Sequence, residues 1–402
     1  MNMQNSSKIP SGQKYQIQKS QGIICSGSSL TAIALVVASS LTFMPGCSRE
    51  VEWVSPYKGI DWDNVLQAKA QLHTHTTRSD GYFSPNYVVD RYHELGYDIL
   101  AITDHWLVTY PWQEFSSFSP SSRTYVRRDE GELDALEHGD VFVYADRDPG
   151  ALGMLAIRGS EPSHTGRRNH HMVSLFAGVS GEGMDFEQTL AANEEAGGLI
   201  SFAHPARSTE RNNNEPDDYI YYFDKYPHVY GIDIFTRATF REPDRWPISK
   251  NLISRLLMHY GSPDAPGWRP VWMTATDDLH RLEDIDQAYQ VQLVDRLDHE
   301  NVYNSLKNGA FFWVAKAPGK QAPVISSIDF SGSAITVNGT GYDHVSWYFD
   351  NKLVHTGEKF DFFENGSEEM FYVYFLAHTS DFSVERGQGA LTGSQPFWIV
   401  KK

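Results

Sequence analysis

In the stretch QLHTHTTRSDGY, residues 71–82, His73 and His75 stand one residue apart and Asp80 follows five residues after the second histidine. In extended backbone, residues i and i+2 project from the same face, so both imidazoles can address one object. Imidazoles joined by a carboxylate oxygen make a ligand set that accepts zinc, manganese or iron. Such a pair also occurs on strand faces that hold no metal, so its meaning depends on what converges with it. The same residue types recur downstream. His105 ends LAITDH, Glu161 ends LAIRGSE, His204 ends LISFAHP, and Asp278 and His280 end VWMTATDDLH, each after an apolar run. A fold that alternates strands with helices gathers the carboxyl ends of its strands on one face, which makes a shared metal site the reading of this recurrence.

The elements that must position these groups follow a repeated grammar. AQLHTHT reads as a strand, and SPNYVVDRYHELG as a helix with Ser84 as N-cap, Pro85 at the first helical position and Gly96 as terminator. YDILAITDH is then an apolar strand. DFEQTLAANEEAGG followed by LISFAHP repeats the pattern, as do YGIDIFT and ISKNLISRLLMHYG followed by VWMTATDDLH. The alternation predicts parallel strands with covering helices, as a barrel or a doubly wound sheet.

The motifs HTHTTRSDG, ITDH, GSE with HHMVSLF, AHP and DLH resemble, in order and separation, those of the PHP (polymerase and histidinol phosphatase) family, over residues 70 to about 314. The resemblance implies an α/β fold, a distorted (β/α)7 barrel, and two or three divalent metal ions (Mn, Zn or Fe). Carried over by motif, His73, His75, Glu161 and Asp278 would bind one ion. Glu161 would bridge to a second held by His171 and His204, and Asp80, His105 and His280 would hold the third. His171 is preferred to its neighbour His170, and Asp278 to Asp277. Asp104 is expected to accept a hydrogen bond behind a ligand instead of ligating. A metal-bound water has its pKa lowered toward about 7, so the set can supply a nucleophile with no serine or cysteine. Arg207, in HPARS, and Arg167 and Arg168 are candidates for clamping a phosphate. The implied catalytic groups are thus Glu161, Asp278 and Arg207. The expected activity is hydrolysis of a phosphoester of a small molecule. Hydrolysis of a carboxylic or carbamate ester by the same metals, and a surface binding protein that keeps the metals for structure, are the alternatives.

The composition bounds the rest. The 402 residues hold one large domain and a smaller one, and a formal charge of -17 disfavours non-specific nucleic-acid binding. Two cysteines, Cys25 and Cys47, exclude a disulfide framework and a cysteine-rich zinc site. Residues 1–47 read as an export segment: lysines precede the apolar run LTAIALVVASSLTFM, and MPGC resembles a lipobox that would lipidate Cys47 and anchor the chain at a bacterial cell envelope, facing periplasm or exterior. A plain secretory signal or an uncleaved anchor is the other reading. Residues 48–69 form a lead-in and 70–317 the metal-dependent domain. Residues 324–402, rich in short alternating runs, are expected to form a small all-β, sandwich-like domain. Connections 107–153 and 206–227 would rise over the site, with Trp112, Tyr221 and Tyr222 as flat contact surfaces.

Overall fold

The computed structural model describes residues 50–110, 112, 147–166 and 168–402. The expected export segment, most of the connection 107–153 and Arg167 lie outside the described residues. The first part of the chain runs β1 (Val51–Val54), β2 (Leu66–Gln71), α1 (Pro85–Glu94), β3 (Ile99–Ile102), α2 (Pro149–Leu152), β4 (Leu155–Ser160) and β5 (Met172–Leu175). It continues through α3 (Phe186–Glu195), β6 (Leu199–Phe202), α4 (Pro205–Asn212), α5 (Pro216–Lys225), β7 (Val229–Thr236), α6 (Arg237–Arg241), α7 (Arg245–Tyr260) and β8 (Trp272–Thr276). Then come β9 (Ala288–Val294), α8 (His299–Asn308) and β10 (Phe311–Lys316). The C-terminal part holds β11 (Val324–Ser331), β12 (Ala334–Thr340), β13 (His344–Phe349), β14 (Lys352–Thr356), β15 (Lys359–Asp361), α9 (Phe362–Asn365), β16 (Tyr372–His378), β17 (Ala390–Gly393) and β18 (Phe397–Lys401).

Local chemistry accounts for the element boundaries. The Ser84 hydroxyl accepts the Tyr87 N–H at 3.3 Å, and Pro85 begins α1, where a missing N–H costs nothing. Gly96 ends that helix with a positive φ of 72°, a conformation glycine adopts without strain. At α3, Asp185 and Gln188 cap each other's backbone in a reciprocal box. The four residues of β3 and of β6 are all buried, as strands covered on both faces must be.

The fold is mixed α/β. One long sheet follows the order β1-β18-β16-β17-β10-β9-β2-β3-β4-β5-β6-β7-β8, with β13 and β14 branching from β16. Within it β2, β3 and β4 pair in parallel, as do β6, β7 and β8. Strand β5 departs from the expected parallel order and runs antiparallel to both β4 and β6. The reason is length: only residues 161–171 join β4 to β5, too few for the helical crossover that a parallel neighbour needs. Beyond the strands an isolated parallel bridge joins Thr74 to Leu279, so the segment after β2 meets the segment after β8.

The C-terminal strands share this sheet: β17 pairs with β10, and β18 with β1. A second, three-stranded antiparallel sheet, β11-β12-β15, packs on them through Trp347 against Phe360 at 5.2 Å and Phe330 against Phe397 at 6.1 Å. Trp347, Phe360 and Phe397 belong to the main apolar core, and the partly buried Phe330 packs against it. Gly393 sits opposite Trp313 at the β10–β17 junction, where a Cβ would come within 2.1 to 2.6 Å of indole atoms. Gly393→Val is therefore expected to lower stability by at least the roughly 1–3 kcal/mol of an overpacked core site. Guanidinium denaturation followed by tryptophan fluorescence would measure it, and an unchanged midpoint would contradict the tight β10–β17 seam.

Candidate metal centre

The candidate ligands sit just past strand ends. Hydrogen-bonded pairing of β2 stops at Gln71, so His73 and His75 stand on its extension and not inside the expected strand. There the Gln71 side chain replaces the ladder, its Oε1 accepting the N–H groups of Leu72 and His73 at 3.1 and 3.2 Å. His105 follows β3, Glu161 follows β4, His171 precedes β5, His204 follows β6, and Asp278 and His280 follow β8. Isolated bridges link several of these segments backbone to backbone: His105 with Glu161, Ser163 with His171, and Thr74 with Leu279. Asp80 is brought back over His75 by a tight loop in which the Gly81 N–H bonds the Thr76 carbonyl at 3.0 Å. A Cβ at position 81 would lie 2.5 Å from the His75 carbonyl, so only glycine closes this loop.

Eight of the nine candidate ligands fall in three overlapping sets, and the ninth, His204, stands beside them. His73, His75, Glu161 and Asp278 form one, His75, Asp80, His105 and His280 a second, and His105, Glu161 and His171 a third. His204 joins the third through Nε2, 3.1 Å from Glu161 Oε1. The first set matches the one the resemblance implies. In the other two, His105 reaches both carboxylates, with Nδ1 2.9 Å from Glu161 Oε2 and Nε2 3.4 Å from Asp80 Oδ2.

The donor atoms fit a cation. In the first set the Nε2 atoms of His73 and His75 are 3.1 Å apart, and they lie 3.3 and 3.1 Å from Glu161 Oε2 and 3.5 and 3.2 Å from Asp278 Oδ1. Ligands held tetrahedrally about 2.1 Å from one centre would be about 3.4 Å apart, in the same range. Glu161 Oε2 is buried and has no hydrogen-bond partner among the described residues, although three imidazoles surround it. A buried carboxylate oxygen without a hydrogen bond is an unsatisfied charge, and a metal ion would resolve that.

The electrostatics agree. Burial pushes Glu161 up, but His105, His73 and His171 outweigh it and hold the carboxyl well below its usual range. Burial also raises Asp278, and Arg237, His280 and His73 reverse the shift. Asp80 is likewise lowered, against burial, by His105 and His280. Burial and His105 push His75 down, yet Asp278 and Glu161 prevail and carry it up to about 9. Burial dominates at His204, which falls to about 4. The pocket thus holds ionised carboxylates among clustered imidazoles.

Supporting acids face away from the centre and grip backbone. Asp104 accepts the Thr76 N–H at 2.8 Å and the hydroxyls of Thr76, Ser79 and Thr109, so it holds the loop that carries Asp80 and not an imidazole. Asp277 takes the N–H groups of Asp286, Gln287 and Ala288 and the Tyr92 hydroxyl, while its neighbour Asp278 enters the cluster. His170, beside His171, lies among Phe202, Tyr219 and Phe186, and burial lowers it to about 3. Two ligands have left-handed backbone, His204 at φ 31° and Asp278 at φ 50°. For residues other than glycine this costs on the order of 1–3 kcal/mol each, the kind of strain that collects at functional sites.

Three contributors are not visible as motifs. Asp233, in mid-β7, accepts the His204 N–H at 3.2 Å and the hydroxyls of Thr274 and Thr276, and so supports the strained His204 turn. Arg237 donates from Nε to the Asp278 carbonyl at 2.6 Å and pairs with Asp284 at 3.0 Å, bracing the turn that carries Asp278 and His280. Asp284 completes the brace by accepting the His280 N–H at 3.1 Å. Arg237 directly follows YGIDIFT, the same strand-end position that singles out the ligands, and that signal would have found it.

A cleft of about 310 Å³ opens beside the cluster, lined by Asp80, His105, His171 and His204, by Trp106, and by Arg207 and Arg211 of α4. Arg168 instead pairs with Asp218 at 2.8 Å. Trp112 and Tyr222 are buried packing residues, and the exposed Tyr221 bonds Glu187 on the outer surface, so none of the three offers the cleft a flat contact.

No protein-family model matches the chain, and no curated protein does. Among solved structures it is similar to a two-domain protein containing a predicted PHP-like metal-dependent phosphoesterase from Bacteroides vulgatus ATCC 8482, at 14% identity and a TM-score of 0.42, over 88% of this chain and 98% of that one. It is also similar to a proposed metal-dependent phosphoesterase from Bifidobacterium adolescentis ATCC 15703, at 13% identity and a TM-score of 0.32, over 53% of this chain and 87% of that one. A third likeness is to PsfC from Pseudomonas syringae PB-5123, at 11% identity and a TM-score of 0.35, over 60% and 87% of the two chains. At such similarity the geometry of the site, and not these likenesses, carries the functional reading.

Glu161→Gln removes the one carboxylate that touches five imidazoles. It is expected to lower manganese affinity by more than the roughly 10–100-fold that follows loss of a residue merely supporting a ligand. Metal content by mass spectrometry after dialysis is the measurement; full content in the variant would remove Glu161 from the ligand set.

Proposed function

We propose that this protein is a metal-dependent phosphoesterase that hydrolyses a small phosphorylated substrate, with two or three divalent ions (Mn, Zn or Fe) held by the nine clustered residues. The observation that carries the reading is the convergence of these ligands on the buried Glu161, beside a cleft whose wall is cationic. When bound, such ions supply a nucleophile at neutral pH and offset charge developing on attacking and leaving oxygens. Glu161 and Asp278 would set the ions' spacing, and Arg237 would hold Asp278 in place. Helix α4 begins immediately after the ligand His204, so its positive N-terminal end lies beside the centre and favours an anion there. Arg207, on the first turn of α4, is suited to holding phosphate oxygens.

The Thr74–Leu279 bridge supports reading β2 to β8 as a distorted seven-stranded barrel, with β5 reversed. We read the protein as extracytoplasmic and anchored through a lipidated Cys47, on the residues that precede and include MPGC. The expected partner is a small-molecule phosphorylated substrate and not nucleic acid.

The test is hydrolysis of matched 4-nitrophenyl phosphate, bis(4-nitrophenyl) phosphate and 4-nitrophenyl acetate by residues 48–402, with manganese and with chelator. Chelator-sensitive release from a phosphate is expected. Cleavage of acetate alone would transfer the reading to carboxylic esters, and inertness toward all three would leave a narrow natural substrate or a binding role. Arg207→Ala is expected to reduce kcat/KM roughly 10-fold or more for phosphates, the scale of a lost charge-assisted hydrogen bond, and far less for acetate. Equal losses on both would refute the clamp.

A further inference from the structure

Four residues of α4, Arg207, Ser208, Arg211 and Asn212, line the metal-side cleft. Their spacing of i, i+1, i+4 and i+5 puts them on one helix face, running away from the ligand His204 where the helix starts. Arg207 therefore stands nearer the metal cluster, and Arg211 one turn farther, about 6 Å along the axis. Arg207 is thus placed for a group at the centre, and Arg211 for a group farther along the helix.

The neighbouring charges sharpen the point. Arg245, beside them, is neutralised by Glu210 at 3.1 Å and Glu242 at 2.6 Å. No carboxylate of the described residues lies within ion-pair distance of Arg207 or Arg211. The Arg207 guanidinium, with burial and Arg245 adding to it, holds Arg211 below its ordinary range, against the opposing pull of Glu242 and Glu210. In a chain of formal charge -17, two guanidiniums along one cleft wall with no ion-pair partner among the described residues make a locally cationic surface.

We infer that the substrate carries a second anionic group about one helical turn from the reacting phosphate, which Arg211 binds while Arg207 holds the phosphate. The inference rests on the phosphoesterase reading and narrows its substrate class to compounds with two anionic groups. Ser208 and Asn212 supply hydrogen-bonding groups between and beside the two cations.

Two non-hydrolysable probes separate the possibilities: phenylphosphonate, and 4-carboxyphenylphosphonate, whose carboxylate stands about 6 Å or slightly more from phosphorus, near the rise of one helical turn. Calorimetric titration of the manganese-loaded protein is expected to show the carboxylated probe binding roughly threefold to fivefold tighter, the scale of a solvent-exposed charge pair. Arg211→Gln is expected to bring that ratio to about one, and Arg207→Gln to weaken both probes while keeping the ratio. Arg211 is exposed, so its replacement leaves the fold intact. Binding of both probes by the wild-type protein without preference, or a preference that survives Arg211→Gln, would overturn this inference alone. Binding of neither probe would overturn the phosphoesterase reading and this inference with it.

Discussion

The burial of the Glu161 carboxylate is the constraint on which the site depends. A carboxylate removed from water must find positive charge or hydrogen-bond donors, and this one is surrounded by five imidazoles that leave its Oε2 without a hydrogen bond. Asp278 and Asp80 add two more acids within the same group of side chains. Arg237 offsets part of that charge, pairing with Asp284 at 3.0 Å and standing 3.6 Å from Asp278 Oδ2. The spacings of the clustered donor atoms lie in the range expected around a small divalent ion.

Such a concentration of charge has to be held against its own repulsion and against backbone strain. Four acids that do not ligate supply the grip: Asp104 on the loop after His75, Asp233 on the His204 turn, and Asp277 and Asp284 around Asp278 and His280. Each accepts backbone N–H groups, so each fixes main chain and, through it, a ligand. Bridges beyond the strand ends do the same from the other side, tying the His105 and Glu161 segments together directly. Rigidity at the centre thus comes from main-chain hydrogen bonds, and the left-handed His204 and Asp278 are tolerated because their surroundings leave them no alternative.

The cleft divides the labour differently. One wall is the metal cluster and another is the polar face of α4, whose first residue adjoins His204. One short helix therefore adjoins the candidate ligands at its start and lines the cleft with Arg207 and Arg211 beyond them. The C-terminal strands stand apart from this chemistry. They extend the long sheet through β17 and β18 and bury aromatic residues against the three-stranded sheet, which assigns them to the stability of the scaffold.

The sequence by itself marked the candidate ligands and their order, because apolar strands ending in His, Asp or Glu leave a periodic trace that needs no tertiary information. Helix limits such as Ser84 and Gly96 were legible for the same reason: capping is a contact between near neighbours. The motif favoured His171 over His170 and Asp278 over Asp277, and the tertiary structure shows what their neighbours do instead: His170 packs among aromatic rings and Asp277 accepts backbone N–H groups. Only the tertiary structure decided the reversal of β5, which depends on the length of one connection, and the roles of Asp233, Arg237 and Asp284. Those three act through contacts with turns 29, 41 and 4 residues away. The contacts from Asp233 and Arg237 exist because the sheet brings separate strand ends together, and no local pattern records where a distant strand will end.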